Sequence, residues 1–221
     1  INIEELSLTY DSLQQVFDTN SLKKHTKIKF SLNNSKIYGK DFKNFVPELK
    51  NLNKPFIANG RITYYNNNVD LHGFQAKYGD NMVMKLSAGI NGLDRIEDTY
   101  IFANIQQISA NINELEDLIS SIKQQPYIFP QEIKKLEFLK FNGNIVGFLS
   151  DIVSFGTLNT AAGKIHTDLK TNYNTKSKGW KFNGQIGTED INLGKILNKY
   201  SDFNDIHLDV TFNGEKKDKQ P

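Results

Sequence analysis

Four histidines, His25, His72, His166 and His207, are the first residues to weigh for metal binding or acid–base work. They are scattered, and three fall on the polar faces of predicted strands, which marks them as surface residues. There is no cysteine, so disulfides and thiolate metal sites are excluded. A Gly-x-Ser-x-Gly nucleophile motif is absent. Asp41, Asp151 and Asp190 stand where helices or turns would open, and read as caps rather than acid–base catalysts. Gly143-Asn-Ile-Val-Gly147 lacks the lysine and the following helix of a phosphate loop. Trp180 and Phe182 could stack bases only beside a basic groove, and a net charge of +2 with both signs interspersed offers none. No paired carboxylates lie near aromatics, which disfavours glycoside hydrolysis. The expectation is a protein that is not an enzyme, with no cofactor, no metal and no nucleic-acid partner.

The chemistry that remains is apolar, and a repeat organises it. Asn59-Gly60 and Asn142-Gly143 each precede a strand, with Ile62 and Ile145 two places on. Gly60 and Gly73 stand 13 residues apart, as do Gly143 and Gly156, and the copies are offset by 83. Upstream, Glu48-Leu49-Lys50 matches Glu132-Ile133-Lys134 at an offset of 84, one residue of loop drift. A partial third copy ends at Phe212-Asn-Gly214. Approximate repeats over 41–125 and 126–200, with a partial copy to 214, make the chain one repetitive unit rather than separate domains.

The elements that carry this face are mostly period-two strands. Ile28, Phe30 and Leu32 alternate with Lys27, Lys29 and Ser31. Met82, Met84, Leu86, Ala88 and Ile90 alternate with Val83, Lys85, Ser87 and Gly89, and Ile165 to Tyr173 does the same. Such alternation predicts antiparallel strands with one wet face. Further strands are predicted at the N-terminus over 1–8, over Tyr100–Ile112 with a bend near Gln106-Gln107, and over 206–212. Leu139, Phe141, Ile145 and Leu149 are assigned to one face, and Trp180, Phe182 and Ile186 continue it. Turns are expected at Asn66-Asn67-Asn68 and at 176–179. Short helices are expected over 9–17, 41–49, 113–122 with Asn113 as cap, and 190–200. About a dozen strands fit the chain, and at ~4.8 Å spacing a single sheet of them runs ~55 Å. The expected fold is mainly β: a curled antiparallel repeat sheet with an open groove and three or four short helices.

Phe141 to Ile165, then Asp168-Leu-Lys170 and Trp180-Lys-Phe-Asn-Gly-Gln-Ile186, resembles the repetitive body of the TamB family, the translocation and assembly module members of the AsmA-like superfamily of bridge-like lipid transfer proteins. Asp41-Phe-Lys-Asn-Phe-Val-Pro-Glu-Leu-Lys50, Gly60-Arg-Ile62, Ile90-Asn-Gly-Leu93 and Thr99-Tyr-Ile-Phe102 are similar to the same family. The resemblance implies a long β-taco with an apolar interior groove, held by an inner-membrane anchor and crossing the periplasm. It implies phospholipid acyl chains as ligand and a role in outer-membrane biogenesis. It also implies an outer-membrane barrel partner, reached through C-terminal regions outside this chain, which would be a piece of a longer protein. The groove-lining residues expected are Met84, Leu86, Ile90, Ile145, Ile165, Leu169, Phe182 and Leu208. The alternative is a structural β-solenoid scaffold in envelope or outer-membrane protein assembly, without lipid conduction.

Overall fold

A computed structural model describes residues 3–10, 12, 27–42, 47–174, 179–197 and 205–217. Eleven strands form one antiparallel sheet that does not close. In chain order they are β1 (Ile3–Thr9), β2 (Lys27–Ile37), β3 (Phe56–Tyr65), β4 (Asn68–Tyr78), β5 (Met82–Asn91), β6 (Tyr100–Asn111), β7 (Phe138–Phe148), β8 (Asp151–Thr160), β9 (Gly163–Asn174), β10 (Gly179–Glu189) and β13 (Asp209–Lys217). Each pairs with its predecessor, and β13 pairs with β10. Two short strands, β11 (Ile191–Asn192) and β12 (Asp205–Ile206), pair with each other alone.

The sheet is curled, and mid-strand irregularities show why. The ladder slips between Leu32 and Ser35 on β2, between Asn59 and Arg61 on β3, and between Leu71 and Phe74 on β4. It slips again between Ile105 and Ile108 on β6, at the expected bend. A bulge bends its strand and tightens the local twist, so bulges aligned across neighbouring strands crease the sheet from β2 to β7. The crease needs unusual backbone. Gly73 sits at φ 56° and Asn34 at φ 45°. Side chains of the adjacent strand accept the N–H groups the bulges free. The Asn34 N–H donates to Asn59 Oδ1 at 2.7 Å and the Gly73 N–H to Ser87 Oγ at 3.2 Å.

The glycine spacing of the repeat now has a physical meaning. Gly143 on β7 lies directly opposite Gly156 on β8, and the Phe141 ring lies beside both. A Cβ on Gly143 would stand 2.7 Å from the Gly156 Cα and overlap the Phe155 carbonyl oxygen. In the first copy a Cβ on Gly60 would stand 2.8 Å from the Phe74 Cα and 3.1 Å from the Gly73 carbonyl. The spacing is the distance around one hairpin between two glycines that meet across it.

Every fourth strand hands over through a linker, and antiparallel order puts all three linkers at one end of the strands. The first holds two 3-10 turns, Gly39–Phe42 and Pro47–Asn51. The second holds α1 (Ile112–Lys123) and α2 (Gln131–Lys134), and the third holds α3 (Leu193–Leu197). Segments 41–125 and 126–200 each contain four strands of the same continuous sheet. The linkers touch in sequence. Gln124 Nε2 donates to Asn51 Oδ1 at 2.8 Å, and Lys135 Nζ donates to the Ile196 carbonyl at 2.9 Å. Lys195 Nζ also meets Glu137 Oε1 at 2.7 Å.

Several local expectations need correction. Of the helix expected over 41–49, residues 43–46 lie outside the described residues, and the flanking parts fall in two 3-10 turns. Asp41 Oδ2 accepts from the Tyr38 N–H at 2.9 Å, so the carboxylate reaches backward within the turn. Helix α1 begins at Ile112, with Asn111 and not Asn113 at the N-cap and no side-chain cap bond. Tertiary pairing replaces that cap, because the Ile112 N–H donates to the Glu137 carbonyl at 2.9 Å. Asp190 is a left-handed residue at φ 53°, and Asn192 does the capping, with Oδ1 accepting from the Lys195 N–H at 2.6 Å. Asp151 begins a strand and faces Lys170 at 3.3 Å. Leu149 lies past the end of β7, its N–H bonded to the Thr99 carbonyl at 3.1 Å. The predicted turn over 176–179, most of the helix over 9–17 and the end of the helix over 190–200 lie outside the described residues.

A half-buried ion pair ties α1 to the segment behind it. Glu116 Oε1 accepts from the Phe129 N–H at 2.6 Å and meets Lys134 Nζ at 3.0 Å. The Phe129 N–H, with Lys134 as the lesser cause, holds the Glu116 carboxyl below its ordinary value against the opposing effect of burial. A depressed carboxylate stabilises the fold above its unfolded pKa, and that stabilisation is lost as pH falls through the folded one. Glu116→Gln should therefore lower Tm at about pH 7, and the gap to wild type should close towards about pH 3. Thermal melts across that range check it; a gap independent of pH would refute the assignment.

Candidate functional site

Cross-strand register places the expected lining residues of β5 to β10 on one face. Met84 lies between Ala76 and Ile108, Leu86 between Phe74 and Ile105, and Ile90 between Val69 and Ile101. In the second copy Ile145 is opposite Ala103, Ile165 opposite Leu158 and Leu169 between Ser154 and Gly184. Phe182 lies opposite Thr171 on one side and Gly214 on the other. Paired residues in a sheet share a face. Seven of the eight expected lining residues thus stand on the same side of one continuous surface. Leu208 lies one residue before β13, and its backbone N–H donates to Thr188 Oγ1 at 3.0 Å.

This face is not packed solid. Among the described residues, the buried apolar side chains are Leu32, Leu52, Ile105, Ile112, Ile191 and five alanines. The larger residues of the face, Met84, Leu86, Ile90, Ile145, Ile165, Leu169 and Phe182, are only half-buried. Towards β13 exposure rises, with Val210 48% and Leu208 42% exposed. Half of the buried apolar positions are alanines, Ala58, Ala76, Ala88, Ala110 and Ala162. What the alternation does not reveal is the polarity of the second half. Ser154, Thr167, Thr171 and Thr188 stand on the same face there, so its apolar surface is interrupted by hydroxyls.

Helical linkers cover one margin. Leu115, Leu118 and Ile122 of α1, with Leu49 and Leu52 of the first linker, face Phe56, Ala76, Met84 and Ile108 across a cavity of about 270 Å³. Met84 therefore sits beneath the helices, whereas Leu86 and Ile90 lie farther along β5. Phe56, Tyr78 and Met82, absent from the expected lining set, also border this margin. Their position at strand ends, next to linkers rich in Leu and Ile, was the available signal.

The opposite face carries Lys85, Asn104, Lys140, Lys164, Asp168 and Lys170. His72 pairs with Arg61 on this side. His166 stands between Thr157, with Nδ1 to Oγ1 3.1 Å, and Glu189, with Nε2 to Oε1 3.1 Å. Among the described residues no group of three His, Asp or Glu side chains could hold a metal. Nor is any helix there long and apolar enough to cross a membrane. An aromatic cluster interrupts the polar surface, with Phe102, Phe148 and Phe155 each nearly half exposed.

The arrangement offers apolar contact along the direction in which strands stack. Comparison with family models, with curated proteins and with solved structures found no match to this chain.

Proposed function

We propose that this chain is a segment of a periplasmic lipid-conducting protein, whose apolar sheet face shields phospholipid acyl chains between the inner and outer membranes. One observation carries the reading: among the described residues, one face of the eleven-strand sheet bears the half-buried apolar positions of both copies, with helical linkers over one margin. The resemblance to the repetitive body of TamB proteins supports it and adds the expected role in outer-membrane biogenesis. An outer-membrane barrel partner belongs to the same proposal.

The energetics favour such a surface for lipid. A phospholipid carries ~30 methylenes, whose exposure to water costs ~24 kcal/mol at ~0.8 kcal/mol each. An apolar trough removes most of that cost. With no strong polar site spaced along it, the trough has no deep well, and a chain can slide.

The test is extraction of the purified protein followed by mass spectrometry. Phospholipid at a stoichiometric level, displaced by a competing fatty acid, is the expected result. A lipid-free protein that also takes up no fluorescent phospholipid from vesicles overturns the proposal and favours a scaffold without conduction.

A further inference from the structure

We propose that β13 is a docking edge for a second copy of this chain, joined β13 to β13 about a two-fold axis through Asn213. Among the described residues β13 pairs with β10 alone and is the last strand of the sheet. Its other edge therefore presents backbone donors and acceptors with no strand against them. An open edge by itself names no partner, but the register that β13 already makes does. Phe182-Asn183-Gly184 of β10 runs antiparallel to Phe212-Asn213-Gly214, with Asn183 opposite Asn213, Phe182 opposite Gly214 and Gly184 opposite Phe212. The tripeptide is thus self-complementary across a ladder, and a second β13 brings the same tripeptide to the free edge.

Self-pairing about Asn213 sets Phe212 opposite Gly214 of the second copy. A Cβ on Gly214 would have nothing within 4 Å, so the surface there is open to a cross-strand ring. The same register places Asp209 opposite Lys217 of the second copy, and the symmetry supplies that pairing of opposite charges twice. Neighbouring registers fare worse. With the axis at Phe212, Asp209 falls opposite Glu215; with the axis at Gly214, Phe212 falls opposite Lys216. A slip of one residue would turn the apolar face of the second copy to the other side. Strand β1, at the far margin, carries Glu4 and Glu5 and no base, so it offers a second β1 no opposite charge. The axis stands perpendicular to the sheet, and the two apolar faces come out on the same side as one surface. The pairing does not rest on the lipid reading, and it doubles the length of that surface.

The chain has no cysteine, so a single introduced thiol reports the register. Directly opposite residues have Cα atoms ~4.5–5.5 Å apart, within the span of a disulfide. Under mild oxidation Asn213→Cys should give the disulfide-linked pair as its main product. Thr211 falls opposite Glu215 of the second copy, so the two thiols of Thr211→Cys stand ~14 Å apart at ~3.4 Å per residue and should stay unlinked. Sedimentation velocity on the wild-type chain should show the mass rising towards that of a dimer over the micromolar range, as a strand pair smaller than a standard interface predicts. Asp209→Lys should weaken this association about tenfold, because two attractive pairs become repulsive, and adding Lys217→Asp should restore it. Circular dichroism like that of wild type checks that each variant is folded. A wild-type chain that stays monomeric overturns the proposal. Equal linking of the two thiols, the mark of random collision, overturns it as well. So does a dimer that links neither thiol and ignores the charge exchange, which would put the contact away from β13.

Discussion

Leu169→Arg should abolish crosslinking of phospholipid to the apolar face, while Asp168→Arg, one residue away, should leave it within about twofold of wild type. Leu169 stands mid-strand on β9 between Ser154 and Gly184, on the same face as Phe182 and Ile186. Asp168 is on the other face, opposite Phe155 and Gln185. A guanidinium in a lipid-filled trough must stay hydrated or lose several kcal/mol of solvation, so acyl chains cannot pass it without exposing methylenes. The expected loss is more than tenfold, and Leu86→Arg on β5 should behave alike. Half-buried positions on an open face should tolerate arginine in the lipid-free state, which circular dichroism can check. Folded Leu86→Arg and Leu169→Arg variants that crosslink as wild type would remove these residues from the lining.

The second large effect is on the fold. Gly156→Val should lower stability by ~3 kcal/mol or more, because its Cβ would overlap the Asn142 carbonyl oxygen and stand 2.7 Å from the Phe141 ring. The carbonyl belongs to a paired strand and cannot rotate away. For a chain of this size that corresponds to a fall of about 10 °C in Tm. Gly214→Val is the matched control. Gly214 lies opposite Phe182, and a Cβ there meets nothing within 4 Å. Its melting temperature should stay within about 2 °C of wild type. Equal losses from the two variants would mean that strand glycine is needed for general backbone reasons and not for the close approach at the crease.

The two sets of residues differ in how far they could be read in advance. Alternation at Met82 to Ile90 and at Ile165 to Tyr173 needs no partner to interpret. A strand turns successive side chains to opposite faces, so composition alone divides the two surfaces. The recurrence of Asn-Gly in two copies likewise marks a repeat without saying what the glycines do. The helical linkers were less legible. Residues 41–49 carry helical spacing, yet the described parts, up to Phe42 and from Pro47, make 3-10 turns. Asp190 resembles a cap, yet Asn192 takes that role because Ile191 and Asn192 first pair with β12. Short segments have little intrinsic helical stability, and neighbouring contacts decide their form.

From the order of its residues alone, this chain is bound to form amphipathic antiparallel strands that share one apolar surface, in a unit that recurs at an offset of 83 residues with the same glycine spacing. Period two is a property of each strand by itself, and no tertiary contact is needed to establish it. Only the tertiary structure decided how that surface is finished. Register set Leu86 opposite Ile105 and Gly143 opposite Gly156, which put the bulges in line and curled the sheet. Packing of α1 over Met84 and Ile108 then covered one margin, while Leu86, Ile90, Ile145, Ile165 and Leu169 stay half-buried among the described residues. Those outcomes depend on groups brought together from distant positions, such as Asn51 with Gln124, and no local pattern encodes such meetings.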